Sequence, residues 1–303
     1  MLSSLDRYIL FTHKTCSKNN IILSYIENMI DDCLSNDLKK ERVYVDLHIH
    51  SIYSDGMATP LEIARKAKAR RLSAIGITDH LYIGKDQRFG ISDRTFKSYF
   101  KACRLASQII ELCVVPGLEL KVKEGHLVIL FPNYNPPSSI LKLKRSGSIF
   151  QICEKMHELG GLVLAAHIDR TDGMGKLVFK YFKQLDGIEY GLRIPEYCEN
   201  VNFKELGLCE TAGSDSHSIS IISSAYTSIS NDCDIRTGRE SVERLLEWLR
   251  KKETEPHFLP VRRKAIALDH ARWLCLTYLS KRVFQEGLKD KWLLGNKLNE
   301  ASV

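Results

Sequence analysis

The sequence contains no long hydrophobic run. No apolar stretch among its 303 residues reaches the ~18 residues that suggest a membrane-spanning helix. The first twenty residues, MLSSLDRYILFTHKTCSKNN, do not follow the basic, apolar and small-residue order of a secretory signal. We therefore expect a protein that has no membrane span and stays in the cytoplasm.

Paired cysteines are also missing. The nine cysteines are odd in number and form no CxxC motif. Both features argue against a disulfide framework and against a zinc ribbon. Inside a cell the cysteines are expected to be reduced thiols, and most of them to be small buried hydrophobic side chains. The composition as a whole, 44% hydrophobic and 27% charged, is that of an ordinary globular protein.

Acidic residues are fewer than basic ones. The chain has 37 Asp and Glu against 44 Lys and Arg, and its formal net charge is +7. This excess suits a phosphate-bearing or nucleic-acid partner without requiring one. Part of it lies after Lys251, at Arg262, Arg263, Lys264, Arg272, Lys281, Arg282, Lys289, Lys291 and Lys297. Two interpretations stay open: a solvated helical face, which is the more common case, or a surface that follows a nucleic-acid backbone.

Hydrophobic periodicity predicts one helix and then alternating strands and helices. Residues 21–34 have helical apolar spacing, which predicts an amphipathic helix that packs on the main body or binds a partner. Short apolar runs predict strands that begin at Val43, Leu72, Cys113, His126, Leu162, Gly187 and Cys209. Candidate helices cover Pro60–Arg70, Arg94–Leu112, Ile149–Leu159, Lys176–Leu185 and the segment SVERLLEWLRKK after Gly238. This α/β alternation favours parallel strands with helical crossovers, and seven strands can close a β/α barrel.

Metal-binding side chains gather at the ends of these predicted strands. Working residues of a β/α barrel collect at the C-terminal strand ends. The candidates at this rim are His48, His50, Asp55, His80, Glu119, His126, His167, Asp215 and His217. Residues two apart in a strand point to the same face, so His48 and His50 can chelate one ion. Nitrogen and oxygen ligands together predict a site for more than one divalent ion.

The motifs that carry these residues resemble those of the polymerase and histidinol phosphatase (PHP) family. They are VDLHIHSIYSDG, IGITDH, PGLEL, GHLVILF, LAAH and TAGSDSH, in this order. The resemblance covers residues 43–250 and implies an irregular seven-stranded (β/α) barrel with up to three divalent ions. Residues 1–42 and 251–303 would then be helical extensions, the second of them basic.

The resemblance also implies which residues hold each ion. The first ion would be held by His48, His50, Glu119 and Asp215, the second by Asp55, His80 and His217, and the third by Glu119, His126 and His167. Many relatives have a histidine where this chain has Asp55, so the second site would be harder in ligand character. Zinc, manganese and iron remain open as the metal.

The expected chemistry is phosphate-ester hydrolysis. A hydroxide bridging two ions can exist near neutral pH and would attack phosphorus without a side-chain nucleophile. Arg170 and Arg193, which follow predicted strands, are the candidates for fixing the phosphate, and Asp215 is a candidate for proton transfer as well as ligation. The expected substrate is a small phosphomonoester, a nucleotide or a nucleic-acid end, the last with help from the basic tail.

Two other functions fit the same residues. The ions could stabilise a non-catalytic PHP scaffold that binds nucleic acid or a protein, although such degenerate domains typically lose ligands and this sequence retains the set. The same type of site could also hydrolyse a carbon–nitrogen bond, which would need fewer cations to hold a phosphate. Asp46 and Asp79 also have two open interpretations, as partners that orient ligand histidines or as carboxylates bonded to the backbone.

Overall fold

The computed structural model describes residues 21–35, 42–81, 90–142, 148–230, 235 and 239–269. Its strands are β1 (Arg42–Ile49), β2 (Ala74–Ile77), β3 (Cys113–Val122), β4 (Gly125–Leu130), β5 (Leu162–Ala165), β6 (Gly187–Tyr190), β7 (Cys209–Ala212), β8 (Ala225–Ser230) and β9 (Thr254–Phe258). Its helices are α1 (residues 21–35), α2 (Pro60–Ala69), α3 (Phe96–Ile110), α4 (Ile149–Glu158), α5 (Val178–Tyr181), α6 (Arg239–Arg250) and α7 (residues 262–269). None of these described helices is long and apolar enough to cross a membrane.

The nine strands form one sheet that curls into a nearly closed barrel. Their order is β7-β6-β5-β4-β3-β2-β1-β8-β9. The two ends of the sheet meet through side chains. The Thr227 hydroxyl accepts a hydrogen bond from the backbone nitrogen of Ala212 at 2.9 Å and donates one to its carbonyl at 3.1 Å. The backbone nitrogen of Glu210 donates to Oγ1 of Thr254 at 3.2 Å. These bonds join β7 to β8 and β9.

The sheet is only partly parallel, which corrects the prediction from the sequence. Strands β1, β2 and β3 pair in parallel, and so do β5, β6 and β7. Strand β4 runs antiparallel to both of its neighbours, because a tight turn after β3 forms a hairpin that leaves no room for a crossover helix. Strands β8 and β9 are antiparallel additions beside β1.

The count of seven strands is not confirmed, because β8 and β9 were not predicted. The sequence AYTSIS of β8 resembles a polar loop, yet Thr227 and Ser228 are fully buried there. Their hydroxyls have partners: Thr227 bonds to Ala212, and Ser228 lies 2.8 Å from Nε2 of His257. Hydrogen bonding therefore makes a polar sequence acceptable inside the sheet. The C-terminal segment accordingly begins with strand β9, whereas residues 251–303 were predicted to be a helical extension.

Two hydrophobic clusters fix the position of the barrel. One cluster takes residues from β1, β2, β3, β4, β5, β7 and β8, and because strands from all sides contribute, it fills the barrel interior. Helix α6 packs into this cluster through Val242, Leu245, Leu246 and Leu249. The cluster also contains Val43, Cys113 and Leu162 at the N-terminal ends of their strands, and Arg250 at the end of α6 donates to the carbonyls of Gly160 and Gly161, just before β5. Helix α6 therefore closes the end of the barrel opposite to the predicted ligands.

The second cluster lies between the strands and helices α1 to α5. Helix α1 buries Ile26, Ile30 and Leu34 in this cluster. Of the two interpretations of this helix, packing on the main body is therefore the one that the structure shows. Helices α2 and α4 begin with capping boxes at Thr59 and Ser148, which explains why their first residues were predicted correctly. The helix expected over Lys176–Leu185 is shorter, because a 3₁₀ turn precedes α5. Residues 270–303 of the extension predicted to be helical lie outside the described residues.

Candidate metal centre

The structure brings all nine sequence-predicted ligand residues together in three overlapping groups. Site A is His48, His50, Glu119 and Asp215; site B is His50, Asp55, His80 and His217; site C is Glu119, His126 and His167. Within each site, one nitrogen or oxygen atom per residue lies within 4.8 Å of every other. Sites A and B share a histidine and sites A and C share a glutamate. The three sites therefore form one continuous centre at the C-terminal ends of the parallel strands.

Site A is the buried floor of the centre. Nε2 of His48, in β1, and Nε2 of His50, directly after β1, lie 3.2 Å apart. Oδ1 of Asp215 lies 3.0 Å from Nε2 of His50 and 3.5 Å from Nε2 of His48. Oε2 of Glu119 lies 3.3 Å and 3.5 Å from the same two nitrogens. Two nitrogens and two carboxylate oxygens thus point at one small volume.

Site C lies on the other side of Glu119. Its Oε1 is 2.7 Å from Nδ1 of His126 and 3.1 Å from Nε2 of His167. The hairpin of β3 and β4 pairs Lys121 with His126. Glu119 lies two residues before Lys121 on the same face of β3, so it is a diagonal neighbour of His126. Each carboxylate oxygen of Glu119 therefore faces a different site, which is the arrangement that a bridging ligand requires.

Site B forms the solvent-exposed mouth of the centre. Oδ2 of Asp55 lies 3.3 Å from Nε2 of His217 and 3.6 Å from Nε2 of His80. These three side chains are a quarter to a third exposed, whereas those of site A are nearly all buried. Gly56 allows this turn, since a Cβ at that position would lie 2.3 Å from the carbonyl oxygen of His50.

Two of the candidate ligands have unusual backbone conformations. His167 has φ +29° and Asp215 has φ +48°, in the left-handed region that residues other than glycine seldom adopt. Such conformations persist only where the surrounding structure holds them, and they concentrate at functional sites. The left-handed backbone at His167 and Asp215 therefore helps to set the direction in which each side chain leaves the chain.

Glu189 is a buried acid of the site that sequence reasoning missed. Its Oε1 lies 2.8 Å from Nδ1 of His48, and both side chains are fully buried. A carboxylate on the far nitrogen of a ligand histidine orients the ring and raises its basicity. The available signal was a charged residue inside the apolar run GIEYG, where an unpaired acid would be costly.

The structure decides between the two interpretations of Asp46 and Asp79. Asp46 accepts hydrogen bonds from the backbone nitrogens of Ser214 (2.9 Å) and Ser223 (2.8 Å). Asp79 accepts from the backbone nitrogen of Ser51 at 2.8 Å and from its hydroxyl at 2.6 Å. Both carboxylates are therefore bonded to the backbone, which was one of the two interpretations, and these bonds hold the loops that carry candidate ligands.

The two candidate phosphate-binding arginines differ in position. Arg170 lines an open cavity beside the metal centre, and its Nη1 donates to Oδ2 of Asp215. Asp172 accepts from Nε and Nη2 of Arg170 at 3.2 Å and 2.9 Å, which fixes the guanidinium. Arg193 is exposed and does not belong to the described lining of this cavity.

The two other histidines in the described part of the chain, His157 and His257, lie away from the metal centre. Nε2 of His157 contacts Oδ2 of Asp186 at 2.9 Å on the surface of α4. His257 lies in β9 and stacks on Tyr226. His13 and His270 lie outside the described residues.

Charge and burial show that the centre is suited to cations. Buried atoms without a hydrogen-bond partner in the described part of the chain include Oδ1 of Asp55, Oε2 of Glu119, Nε2 of His126 and Nδ1 of His167. Burial alone would raise the pKa of Glu119, but the charge of His48 and bonds from the other histidines lower it well below its usual range. Burial would lower the pKa of His50, but Asp215 and Glu119 raise it to about 10. The side chains therefore fit divalent ions, whose charge the buried acids would balance.

Comparison with known proteins identifies the family. The model of the PHP domain matches residues 46–254, more than half of the chain. The match contains every residue of sites A, B and C. The chain therefore belongs to the PHP domain family, as its motifs suggested.

Individual relatives are distant. An uncharacterized protein of Methanocaldococcus jannaschii is 29% identical over 157 residues, which cover 48% of this chain and 78% of that protein. PsfC from Pseudomonas syringae matches in structure with a TM-score of 0.57 at 16% identity, over 78% of this chain and 99% of that one. A two-domain protein from Bacteroides vulgatus, containing a predicted PHP-like metal-dependent phosphoesterase, matches with a TM-score of 0.53 at 19% identity. That match covers 72% of this chain and 65% of the other, less than two thirds of its length. These structural matches show the fold.

Proposed function

We propose that the protein is a metal-dependent phosphoesterase that holds up to three divalent ions, of zinc, manganese or iron, at sites A, B and C. The observation that carries this proposal is the position of Arg170, whose guanidinium contacts Asp215 of site A at the wall of an open cavity. A cation beside a metal centre suits a substrate with several negative oxygens, as a phosphate ester has.

The residues of the chain have separate roles in this proposal. Bound ions would supply an activated water nucleophile and neutralise charge on the phosphate. Glu189 holds the ring of His48, so that Nε2 faces site A. Asp172 holds Arg170 with two hydrogen bonds and leaves Nη1 directed at Asp215, where a phosphate oxygen could accept from it. Asp215 is the proposed site of proton transfer, because it lies between this arginine and the two histidines of site A.

The cavity indicates the size of the substrate. Its volume is about 380 Å³, within the usual range for small-molecule sites. Asp55, Asp215 and His217 line it on the metal side, and Leu192, Ile221 and Ile266 line it elsewhere. With ions bound, the metal side and Arg170 therefore suit the phosphate, and the apolar part suits an organic leaving group. A small phosphomonoester, a nucleotide or the end of a nucleic acid meets both conditions.

A substrate panel tests the proposal. Phosphomonoesters, nucleotides, short oligonucleotides and a set of amides are incubated with the full chain and Mn²⁺ or Zn²⁺, and the hydrolysis products are measured. We expect turnover of at least one class and its loss in the His48→Ala/His50→Ala double variant. Bound ions without turnover of any phosphate ester would contradict the proposal and favour the non-catalytic scaffold. Turnover of amides alone would favour carbon–nitrogen hydrolysis.

A further inference from the structure

The loop that joins β7 to β8 carries two ligands and is held from several directions. This loop, residues 213–224, is named the Asp215 loop; it contains Asp215 of site A and His217 of site B. Asp215 has φ +48°, in the left-handed region that aspartate adopts more readily than most residues but only as a minority conformation. The position of its carboxylate therefore depends on what fixes the neighbouring peptide groups.

Arg262 fixes these peptide groups from outside the barrel. The side chain is only 3% exposed, and its Nη2 donates to the carbonyls of Gly213 and Ser214, both at 3.1 Å. Its Nη1 donates to the hydroxyl of Ser224, and its Nε donates to the carbonyl of Gly191 at 2.7 Å. One planar guanidinium thus ties both ends of the Asp215 loop to the end of β6.

The bond to Ser214 acts directly on Asp215. The Ser214 carbonyl belongs to the peptide plane that leads into Asp215, and rotation of that plane changes φ of Asp215. On the opposite edge of the preceding peptide, the nitrogen of Ser214 donates to Asp46 at 2.9 Å. Ser214 is therefore held on both sides by buried charged groups. Such a restraint sets a side chain position without touching the side chain.

The restraint comes from a part of the chain that the family model does not cover. The match ends at residue 254, whereas Arg262 lies at the start of α7. Arg262, Ile266 and Asp269 line the same cavity as Asp215 and His217. Asp269 accepts from the hydroxyl of Ser220 at 2.6 Å, which gives this segment a second bond to the Asp215 loop. Residues 259–269 are thus a wall of the metal centre.

We propose that Arg262 is a positioning residue for metal binding, which sets the backbone of Asp215 and thereby the affinity of site A. This inference rests on the proposed metal ligands and extends the active site beyond the region that defines the family. Arg262 itself binds no ion and no substrate in this role. Site C shares only Glu119 with site A, and its other residues, His126 and His167, lie outside the Asp215 loop, so its ion should depend less on Arg262.

Ion binding by full-length variants tests the proposal. Ion content and affinity are measured by mass spectrometry after competition with a chelator, for Arg262→Met and Arg262→Lys. Removing a partner that orients a ligand typically lowers metal affinity about 10- to 100-fold. We expect a loss of this size at site A in Arg262→Met, a smaller loss in Arg262→Lys, and retention of the site C ion. Adding His126→Ala to Arg262→Met should remove the retained ion.

The control is another arginine that binds backbone carbonyls. Nη2 of Arg250 donates to the carbonyls of Gly160 and Gly161 at 2.8 Å and 3.0 Å, before β5 and away from the ligands. We expect Arg250→Met to lower the melting temperature and to leave ion affinity unchanged.

Two results would overturn the inference. One is a folded Arg262→Met variant with wild-type affinity at every site. The other, if Arg262→Met does not fold, is an Arg262→Lys variant that is less stable but binds ions as the wild type does, since that pattern describes a structural role alone. Failure of the proposed function is a separate result, because ion binding without ester hydrolysis leaves this test intact.

Discussion

Nδ1 of His48 lies 2.8 Å from Oε1 of Glu189, and both side chains are fully buried. An ionised carboxylate only accepts hydrogen bonds, so Nδ1 of His48 carries the proton. In the neutral ring, the form that binds an ion, the lone pair is then on Nε2, which faces His50, Glu119 and Asp215. Glu189 thus selects the form of His48 that can bind a metal ion.

We expect Glu189→Gln to lower metal affinity and the proposed phosphoesterase activity about 10- to 100-fold, since the amide keeps the shape but loses the charge that raises the basicity of His48. Metal titration and steady-state kinetics measure the two effects. The matched control is Glu210→Gln in the adjacent strand β7, because Glu210 accepts a bond from Tyr190 at 2.8 Å and belongs to no metal site in the described structure. Equal effects of the two substitutions would contradict the role of Glu189.

Because Glu119 belongs to both site A and site C, its loss should remove more ions per chain than the loss of a ligand of site C alone. Glu119→Gln should remove ions from sites A and C together, because each carboxylate oxygen faces one of them. His126→Ala should remove only the site C ion. Ion content of the purified variants, measured after dialysis without chelator, distinguishes these cases. If both variants lose the same number of ions, Glu119 does not bridge two sites.

The metal-free protein should have a characteristic pH dependence. Asp215 and Glu119 raise the pKa of His50 from 6.5 to about 10, so folding takes up a proton at this ring. The resulting stability is complete below pH ~6.5 and is lost as the pH rises towards 10. Divalent ions bind the neutral ring and act in the opposite direction. We expect the melting temperature of chelator-treated protein to fall between about pH 7 and pH 9, and the gain on adding Mn²⁺ to grow over the same interval.

Calorimetry at several pH values checks this prediction, and His157→Gln serves as its control. His157 contacts Asp186 on the surface and lies outside the metal centre. Its removal should leave both curves unchanged. A stabilisation by Mn²⁺ that does not vary with pH would mean that binding displaces no proton from the centre.

The basic tail can be tested without disturbing the barrel. Strand β9 and Arg262 are built into the sheet and the metal centre, so removal of all residues after Lys251 would damage both. Deletion of residues 270–303 keeps them and removes Arg272, Lys281, Arg282, Lys289, Lys291 and Lys297. We expect weaker oligonucleotide binding with a shallower salt dependence, and unchanged hydrolysis of a small ester. Equal binding by the shortened and full chains would exclude the tail as a nucleic-acid surface.

The sequence predicted which side chains come together, because their spacing follows from strand geometry. His48 and His50 point the same way as alternate strand residues, and His80, Glu119 and His167 follow or end short apolar runs that were easy to recognise. Family resemblance then supplied the grouping into three sites, which the geometry matches with His50 added to site B. The boundaries at residues 42 and 250 remain predictions.

The parts that were missed depend on long-range partners. Thr227 and Ser228 look unsuitable for a buried strand until their bonds to Ala212 and His257 are known. Arg262 was one of several basic residues in a tail, and only the fold shows that it is buried against the Asp215 loop. A single sequence does not reveal such pairings, because the partners lie 15 to 49 positions apart.

Strand β9 has a practical consequence for recombinant work. It is the final strand of the described sheet and covers the outer side of β8 with an antiparallel ladder from Ala225 to Ile229. The family match ends at Thr254, the first residue of β9. A fragment trimmed to that limit would expose the amide and carbonyl groups of β8 to other molecules, and uncovered edges of this kind promote aggregation. Expression designs should therefore keep at least the residues through Asp269.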